Sequence, residues 1–291
     1  MKSQRRRGIL LAFVGMLLVS TDSPLTRMAD TNGFNITFWM GVLTFVVLTT
    51  VVKVQGKNPI ALIRLGGRPL IVLSLLQASS TTAFVLAVTK TAIANVVVII
   101  AIAPMMAAAL SWFMLRERTS LRVWAAIFAS VVGIVIVVSG SFGGGSVTGD
   151  LLALLAVGLF SISLVILRGR PEVSRMMMVA LAGVGMSVIA FIPATLWGHP
   201  AKTWLAIFLL GAILGPTARV MLATAPRYLP AAQVSLFTPI ETIAATLWAY
   251  IFFDEQPPGR TYVGGVIVIA AVVLGIWQQN NEHVPAAGPR L

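Results

Sequence analysis

Residues 94–122 read ANVVVIIAIAPMMAAALSWFMLRERTSLR, and residues 232–260 read AQVSLFTPIETIAATLWAYIFFDEQPPGR. Shifted by 138 residues, the two stretches superpose without a gap. Ala94, Val96, Ile102, Ala107, Glu117 and Arg122 meet Ala232, Val234, Ile240, Ala245, Glu255 and Arg260, and further on Val135 meets Val273. Apolar coincidences come cheaply in such sequence, so the weight falls on the Glu and Arg pairs. They sit at equivalent turns, Leu115-Arg116-Glu117-Arg118 and Phe253-Asp254-Glu255-Gln256. Chance similarity of two apolar hairpins is the competing explanation.

Working outward from these hairpins, the whole chain divides into ten apolar segments. A helix that crosses a bilayer needs about 20 apolar residues, because the hydrocarbon is about 30 Å thick and a helix rises about 1.5 Å per residue. The first five segments are Gly8–Met28, Phe34–Val52, Pro69–Thr89, Thr91–Phe113 and Leu121–Ser139. The second five are Asp150–Leu167, Met176–Trp197, Thr203–Leu222, Ala231–Phe253 and Thr261–Gln278. With 58% hydrophobic and 10% charged residues and a mean hydropathy of +0.94, the chain has too little polar surface for a water-soluble globule. The fold class expected is therefore all-α integral membrane, with ten transmembrane helices. A repeat of five spans reverses the orientation of its second copy, so the two five-helix repeats are inverted. They should occupy residues 1–139 and 140–278, followed by a flexible cytoplasmic tail over 279–291. The first segment continues past the length of a secretory signal and carries no Ala-x-Ala cleavage chemistry, so it reads as an uncleaved span.

The net charge of +12 would suggest a nucleic-acid partner if it were gathered in one domain. Instead it is spread over short connections. With the N-terminus inside, seventeen of the twenty-one basic residues lie on the inner side, leaving Arg27, Lys90, Lys202 and Arg260 outside. Retention of Lys and Arg in the cytoplasm then places both termini there, in a multi-pass protein of the plasma (inner) membrane. The partners expected are a small-molecule substrate and the lipid bilayer, with no nucleic acid, for a monomer or weak homo-oligomer. No cofactor and no metal are expected. Cysteine is absent, no Gly-x-x-x-x-Gly-Lys-Ser/Thr loop exists for phosphate, and the two histidines, His199 and His283, form no metal-binding helix motif.

Several motifs are similar to those of the drug/metabolite transporter superfamily, in its EamA-type ten-span branch. They are Ala103-Pro104 with Leu115-x-Glu117 in the first half, and Pro239-Ile240-Glu241, Phe253-Asp254-Glu255-Gln256-Pro257 and Gly264-Gly265 in the second. Ser20-Thr21-Asp22 and Arg27 resemble the first span of one EamA subgroup. The resemblance covers essentially the whole chain. It implies export of amino acids, other small metabolites or drugs through a central cavity between the halves. One motif departs: where many members open the second span with aromatic-Arg-Gly, this chain has Phe38-Trp39-Met40-Gly41, so no role of that arginine carries over.

Polar side chains inside hydrocarbon are costly and mark candidate sites. Glu241 lies about 15 Å into the ninth span, near the midplane. On one continuous helix, Gln233, Glu241 and Trp248 share a face that offers an acceptor, a carboxylate and an aromatic wall. Glu241 could bind an amine or carry a proton; the plainer alternative is a structural carboxylate held by a hydroxyl or by Arg219. Asp22 and Arg27 flank Pro24 in the first span, either as a helix-end ion pair or as coupling groups. Arg219, three residues past Pro216, suits a substrate carboxylate or a topology anchor equally. Gln77, Ser80, Thr81 and Phe84 form one stripe of the third span, and Asn95 opens the fourth; both could line a pathway or serve helix packing. Pro24, Pro104, Pro216 and Pro239 are candidate hinges or static kinks.

The function expected is a secondary transporter that exports small metabolites by alternating access around a central cavity. Amino acids with large or aromatic side chains, or amphipathic drugs, are the cargo expected. A sugar-nucleotide or organic-phosphate exchanger would need clustered midplane cations, and only Arg219 and Arg27 are candidates. An intramembrane enzyme would need paired carboxylates, whereas Asp22 and Glu241 are expected at different depths. A passive channel remains a further alternative.

Overall fold

The computed structural model describes residues 2–91, 96, 99–116, 120–138, 146–253, 263–264, 266–267 and 269–271. Among these residues the chain is helical, with no strand. The elements are α1 (Lys2–Val19), α2 (Asp22–Ala29), α3 (Gly33–Val54), α4 (Pro59–Lys90), α5 (Ala103–Leu115) and α6 (Leu121–Val138). The second half continues with α7 (Val147–Arg168), α8 (Arg175–Ala190), α9 (Ala201–Phe208), α10 (Gly215–Thr224), α11 (Ala231–Ser235) and α12 (Thr238–Phe253). A π-helical turn, Leu209–Leu214, joins α9 to α10.

Among the described residues, five helical stretches are long and apolar enough to cross a membrane: Gln4–Ala29, Gly33–Val54, Pro59–Lys90, Val147–Arg168 and Ala201–Arg227. Ala103–Leu115, Val123–Gly133 and Arg175–Ala190 are shorter apolar helices. The protein is thus an all-α, multi-pass membrane protein. The tenth segment read from sequence falls largely outside the described residues, as does the opening of the fourth, and Asn95 lies there.

Several expected spans are not single continuous helices. The first is divided at Ser20-Thr21 and the ninth at Leu236-Phe237, while the eighth changes to π-helical pitch at Leu209–Leu214. Each of the four candidate hinge prolines sits in the first turn of a helix that starts a new segment: Pro24 in α2, Pro104 in α5, Pro216 in α10 and Pro239 in α12. Proline has no N–H to donate and its ring fixes φ, so it fits the first turn and breaks what precedes it. The third span differs in another way, because its helix already begins at Pro59, ten residues before the expected Pro69. Gly67 makes the bend at φ 51°, ψ −145°, a conformation that a side chain would strain. The seventh span is shorter than expected: α8 ends at Ala190, where Phe191 opens a turn into Pro193.

The two halves interdigitate. α3 packs along α8, α4 lies against α7 and α8, and α1 lies against α10. These contacts follow the repeat, since the pairing of the third span with the sixth has its counterpart in that of the eighth with the first. At the α3–α8 crossing, Gly41 and Gly183 face each other so closely that a Cβ on either would run into the other's carbonyl oxygen. Ser187 Oγ donates to Phe38 O at 3.0 Å and ties α8 to α3, while Thr44 Oγ1 donates to Gly211 O at 3.0 Å and ties α3 to the π-helical turn. Gly41→Val is therefore expected to cost about 1–3 kcal/mol of stability through overpacking. Gly158→Ala is the control, because its Cβ would meet only Met106 Cε at an ordinary 3.6 Å. Melting temperatures in detergent would check this, and an unchanged Gly41→Val protein would refute the packing argument.

Away from this crossing, the loop after α7 is held by Arg175. Its guanidinium donates to the carbonyls of Leu167 (2.9 Å), Arg170 (2.6 Å) and Val173 (2.6 Å). The last carbonyls of α7 have no partner within the helix, and this arginine satisfies one of them. At the opposite end, Trp39, Trp197 and Trp204 form an aromatic cluster with centroid separations of 5.4, 5.1 and 6.5 Å. Tryptophan at such positions matches the aromatic belts of membrane interfaces.

Candidate functional site

Three of the four breaks in helical regularity meet around one cavity. α1 and α2 contribute Met16, Val19 and Asp22; α10 contributes Arg219 and Leu222; α12 contributes Thr238 and Glu241. Gln77, Ser80, Thr81 and Phe84 of α4 form the facing wall, completed by Ile100 and by Ala156, Val157 and Phe160 of α7. The volume open to the centre of a water-sized molecule is about 90 Å³. A smaller void of about 20 Å³ shares Gln77, Phe160, Arg219 and Leu222 with it and extends to Leu167 and Ala223.

The cavity's walls obey the 138-residue offset, although their chemistry does not. Val19 and Val157, Asp22 and Phe160, Thr81 and Arg219, Phe84 and Leu222, and Ile100 and Thr238 are related by that shift, and all ten line the cavity. The site therefore lies where the two repeats mirror one another. Its charges are one-sided: Asp22 faces an apolar counterpart and Arg219 a neutral one.

Asp22 and Arg219 are joined. Arg219 Nη2 donates to Asp22 Oδ2 at 2.8 Å, with side chains only 10% and 4% exposed. The ion pair bridges the first and second halves of the chain. Asp22 Oδ1 is buried with no hydrogen-bond partner among the described residues. The sequence-based pairing of Asp22 with Arg27 is thereby corrected: Asp22 is buried in the protein interior, whereas Arg27, five residues on, is exposed. Glu241 lies in the first turn of α12, as Asp22 lies in that of α2. A carboxylate there is favoured by the partial positive charge of unpaired backbone N–H groups.

The expected difference in depth between Asp22 and Glu241 does not hold, since both border the same cavity. They are not equivalent, however, because Arg219 engages Asp22. Glu241 makes no hydrogen bond or ion pair with the described residues.

Of the other residues singled out from sequence, Gln77, Ser80, Thr81, Phe84 and Arg219 all reach the cavity. Ser80 also ties helices together, donating to Ala156 O at 2.8 Å, and Gln77 Nε2 donates to Thr81 Oγ1 at 3.2 Å. Gln233 and Trp248 do not border it. The break at Leu236-Phe237 places Gln233 on α11, a separate segment, where it is buried. Trp248 instead donates its indole N–H to Ser20 Oγ at 2.8 Å, bracing the break in the first span.

Phe160, Thr238, Met16 and Ile100 line the cavity without having been singled out. Phe160 could have been found by applying the offset to Asp22, but unlike side chains hide the relation.

Comparison with known proteins agrees with this architecture. The sequence model of the EamA-like transporter family matches residues 6–139 and again residues 147–277. A solved crystal structure with 16% sequence identity superposes over 94% of this chain and 97% of its own, at a TM-score of 0.78. At that identity the likeness speaks for the fold alone. No curated protein matches the chain.

Proposed function

Since this chain belongs to the EamA-like transporter family, and so is a membrane transporter, we propose that it is a secondary carrier exporting small amphipathic metabolites around the Asp22–Arg219–Glu241 cavity. Amino acids with large side chains and amphipathic drugs are the cargo in this reading. The observation that carries it is the cavity itself: an apolar-walled space between the repeats, holding three ionisable side chains. Charge inside hydrocarbon is expensive and is kept where it serves transport or coupling.

The helix breaks support alternating access. The first, eighth and ninth spans lose helical regularity beside Asp22, Arg219 and Thr238, so each can bend at the level of the cargo. The prolines in those first turns act as hinges. In this reading the basic connections are cytoplasmic, with both termini inside, in the inner membrane. The smaller void, lined by Leu167 and Ala223, then lies on the cytoplasmic side of the cavity.

An organic-phosphate exchanger fits poorly. Among the described residues the cavity holds a single guanidinium, and Asp22 already occupies it.

The test is uptake and efflux in proteoliposomes with an amino-acid and drug panel, with and without an imposed pH gradient. Saturable flux that competing cargo suppresses is the expected result. Flux that never saturates would describe a channel, and no flux from folded protein would refute the reading.

A further inference from the structure

The acceptors around the cavity outnumber its donors of charge. Among the described residues Arg219 is the single cation of the lining, and its guanidinium is spent on Asp22 Oδ2 at 2.8 Å. Two acceptor positions remain. Asp22 Oδ1 is buried without a partner among the described residues. The Glu241 carboxylate has neither a hydrogen bond nor an ion pair among them. A buried carboxylate oxygen without a donor carries a desolvation cost that an incoming N–H group can remove.

The neutral polar groups do not change this balance. Ser80 gives its proton to Ala156 O, Thr238 gives its own to Ser235 O at 2.7 Å, and the Gln77 amide donates to Thr81. The hydroxyl hydrogens of Ser80 and Thr238 are thus directed at protein acceptors, and none of these groups brings a positive charge. The remainder of the lining, including Met16, Phe84, Phe160 and Leu222, is apolar.

We propose that the cavity selects an organic cation, an ammonium group carried on an apolar or aromatic body, over the zwitterion or anion of the same shape. The ammonium donates to Glu241 and to Asp22 Oδ1, while the body lies against Phe84, Phe160 and Met16. A cargo carboxylate has no free guanidinium to meet and would face Glu241 instead. The asymmetry of the repeat serves the same end, because Phe160 stands opposite Asp22 in the repeat and supplies an aromatic face that a cation favours. This inference rests on the carrier reading above and narrows its cargo.

The experiment compares three ligands that share one body: phenethylamine (cation), phenylalanine (zwitterion) and 3-phenylpropionate (anion). Each is titrated calorimetrically into the full-length protein in neutral-lipid nanodiscs, with empty nanodiscs as the blank. Phenethylamine is expected to bind at least about tenfold more tightly than phenylalanine, and 3-phenylpropionate not to bind. Glu241→Gln should weaken phenethylamine at least about tenfold, with Glu241→Asp intermediate, and melting curves establish that both variants fold. Phenylalanine or 3-phenylpropionate binding as tightly as phenethylamine would overturn the proposal. So would the absence of binding by all three, or phenethylamine affinity untouched in folded Glu241→Gln. Should this ranking fail while proteoliposome flux of any panel member saturates, the carrier reading survives and the charge selection falls. Loss of flux with every panel member would remove the carrier reading itself.

Discussion

Arg219→Ala is expected to destabilise the protein by about 3–5 kcal/mol, the usual effect of removing one partner of a buried ion pair. Asp22 is 3% exposed and its Oδ1 has no partner among the described residues. Truncating Arg219 would therefore leave both carboxylate oxygens without a donor in a nearly dry interior. The damage should also spread, because the pair ties α2 to α10 and so joins the two halves of the chain. Asp22→Asn/Arg219→Gln removes both charges at once and is expected to recover most of the loss, since much of the cost of the single variant is the stranded charge. Melting temperatures of the two single variants and the double variant test this. Strict additivity, with no recovery in the double variant, would show that the two side chains act independently.

Glu241→Gln should do the reverse, sparing the fold and removing transport. Glu241 has no hydrogen bond or ion pair with the described residues, so its replacement by the isosteric amide strands nothing. Its melting temperature should stay near that of the parent. Flux, in contrast, should fall about 10- to 100-fold, the range that corresponds to loss of a charge-assisted hydrogen bond of about 1.5–3 kcal/mol. If flux is coupled to a pH gradient through this carboxylate, that response should vanish with it. Normal flux from a folded Glu241→Gln protein would return Glu241 to a structural role. The two variants together separate what holds the cavity from what uses it.

Much of this arrangement could be read in the sequence, for identifiable reasons. Glu241 stood out because ionised groups are rare inside hydrocarbon, and Gln77, Ser80, Thr81 and Phe84 because their spacing within one helix puts them on one face. Both signals are local. The Asp22–Arg219 pair was not legible, because its members lie 197 positions apart and nothing in either span names the other. Arg27 was nearer in sequence, but helical rotation sends it outward.

Gln233 and Trp248 were misplaced for a different reason. Their shared face was counted along a continuous helix, and Leu236-Phe237 interrupts it. Pro239 was the available warning, since a proline in that position more naturally opens a helix than continues one. The repeat was visible only where both copies keep Glu and Arg. At Asp22 and Phe160, or Thr81 and Arg219, the offset persists but the side chains differ, and those are the positions that line the cavity.

The chain contains no cysteine, so a single engineered thiol reports without background, and this permits the most direct test of the cavity as the cargo site. Thr238→Cys places that thiol on the cavity wall. Membrane-impermeant maleimide would be applied to sealed vesicles from either face in turn, in the presence and absence of saturating phenylalanine or phenethylamine. If cargo occupies this cavity by alternating access, the thiol is labelled from both faces and at least one of the two ligands slows that labelling. Labelling unaffected by either ligand, or confined to one face under every condition, would contradict the account.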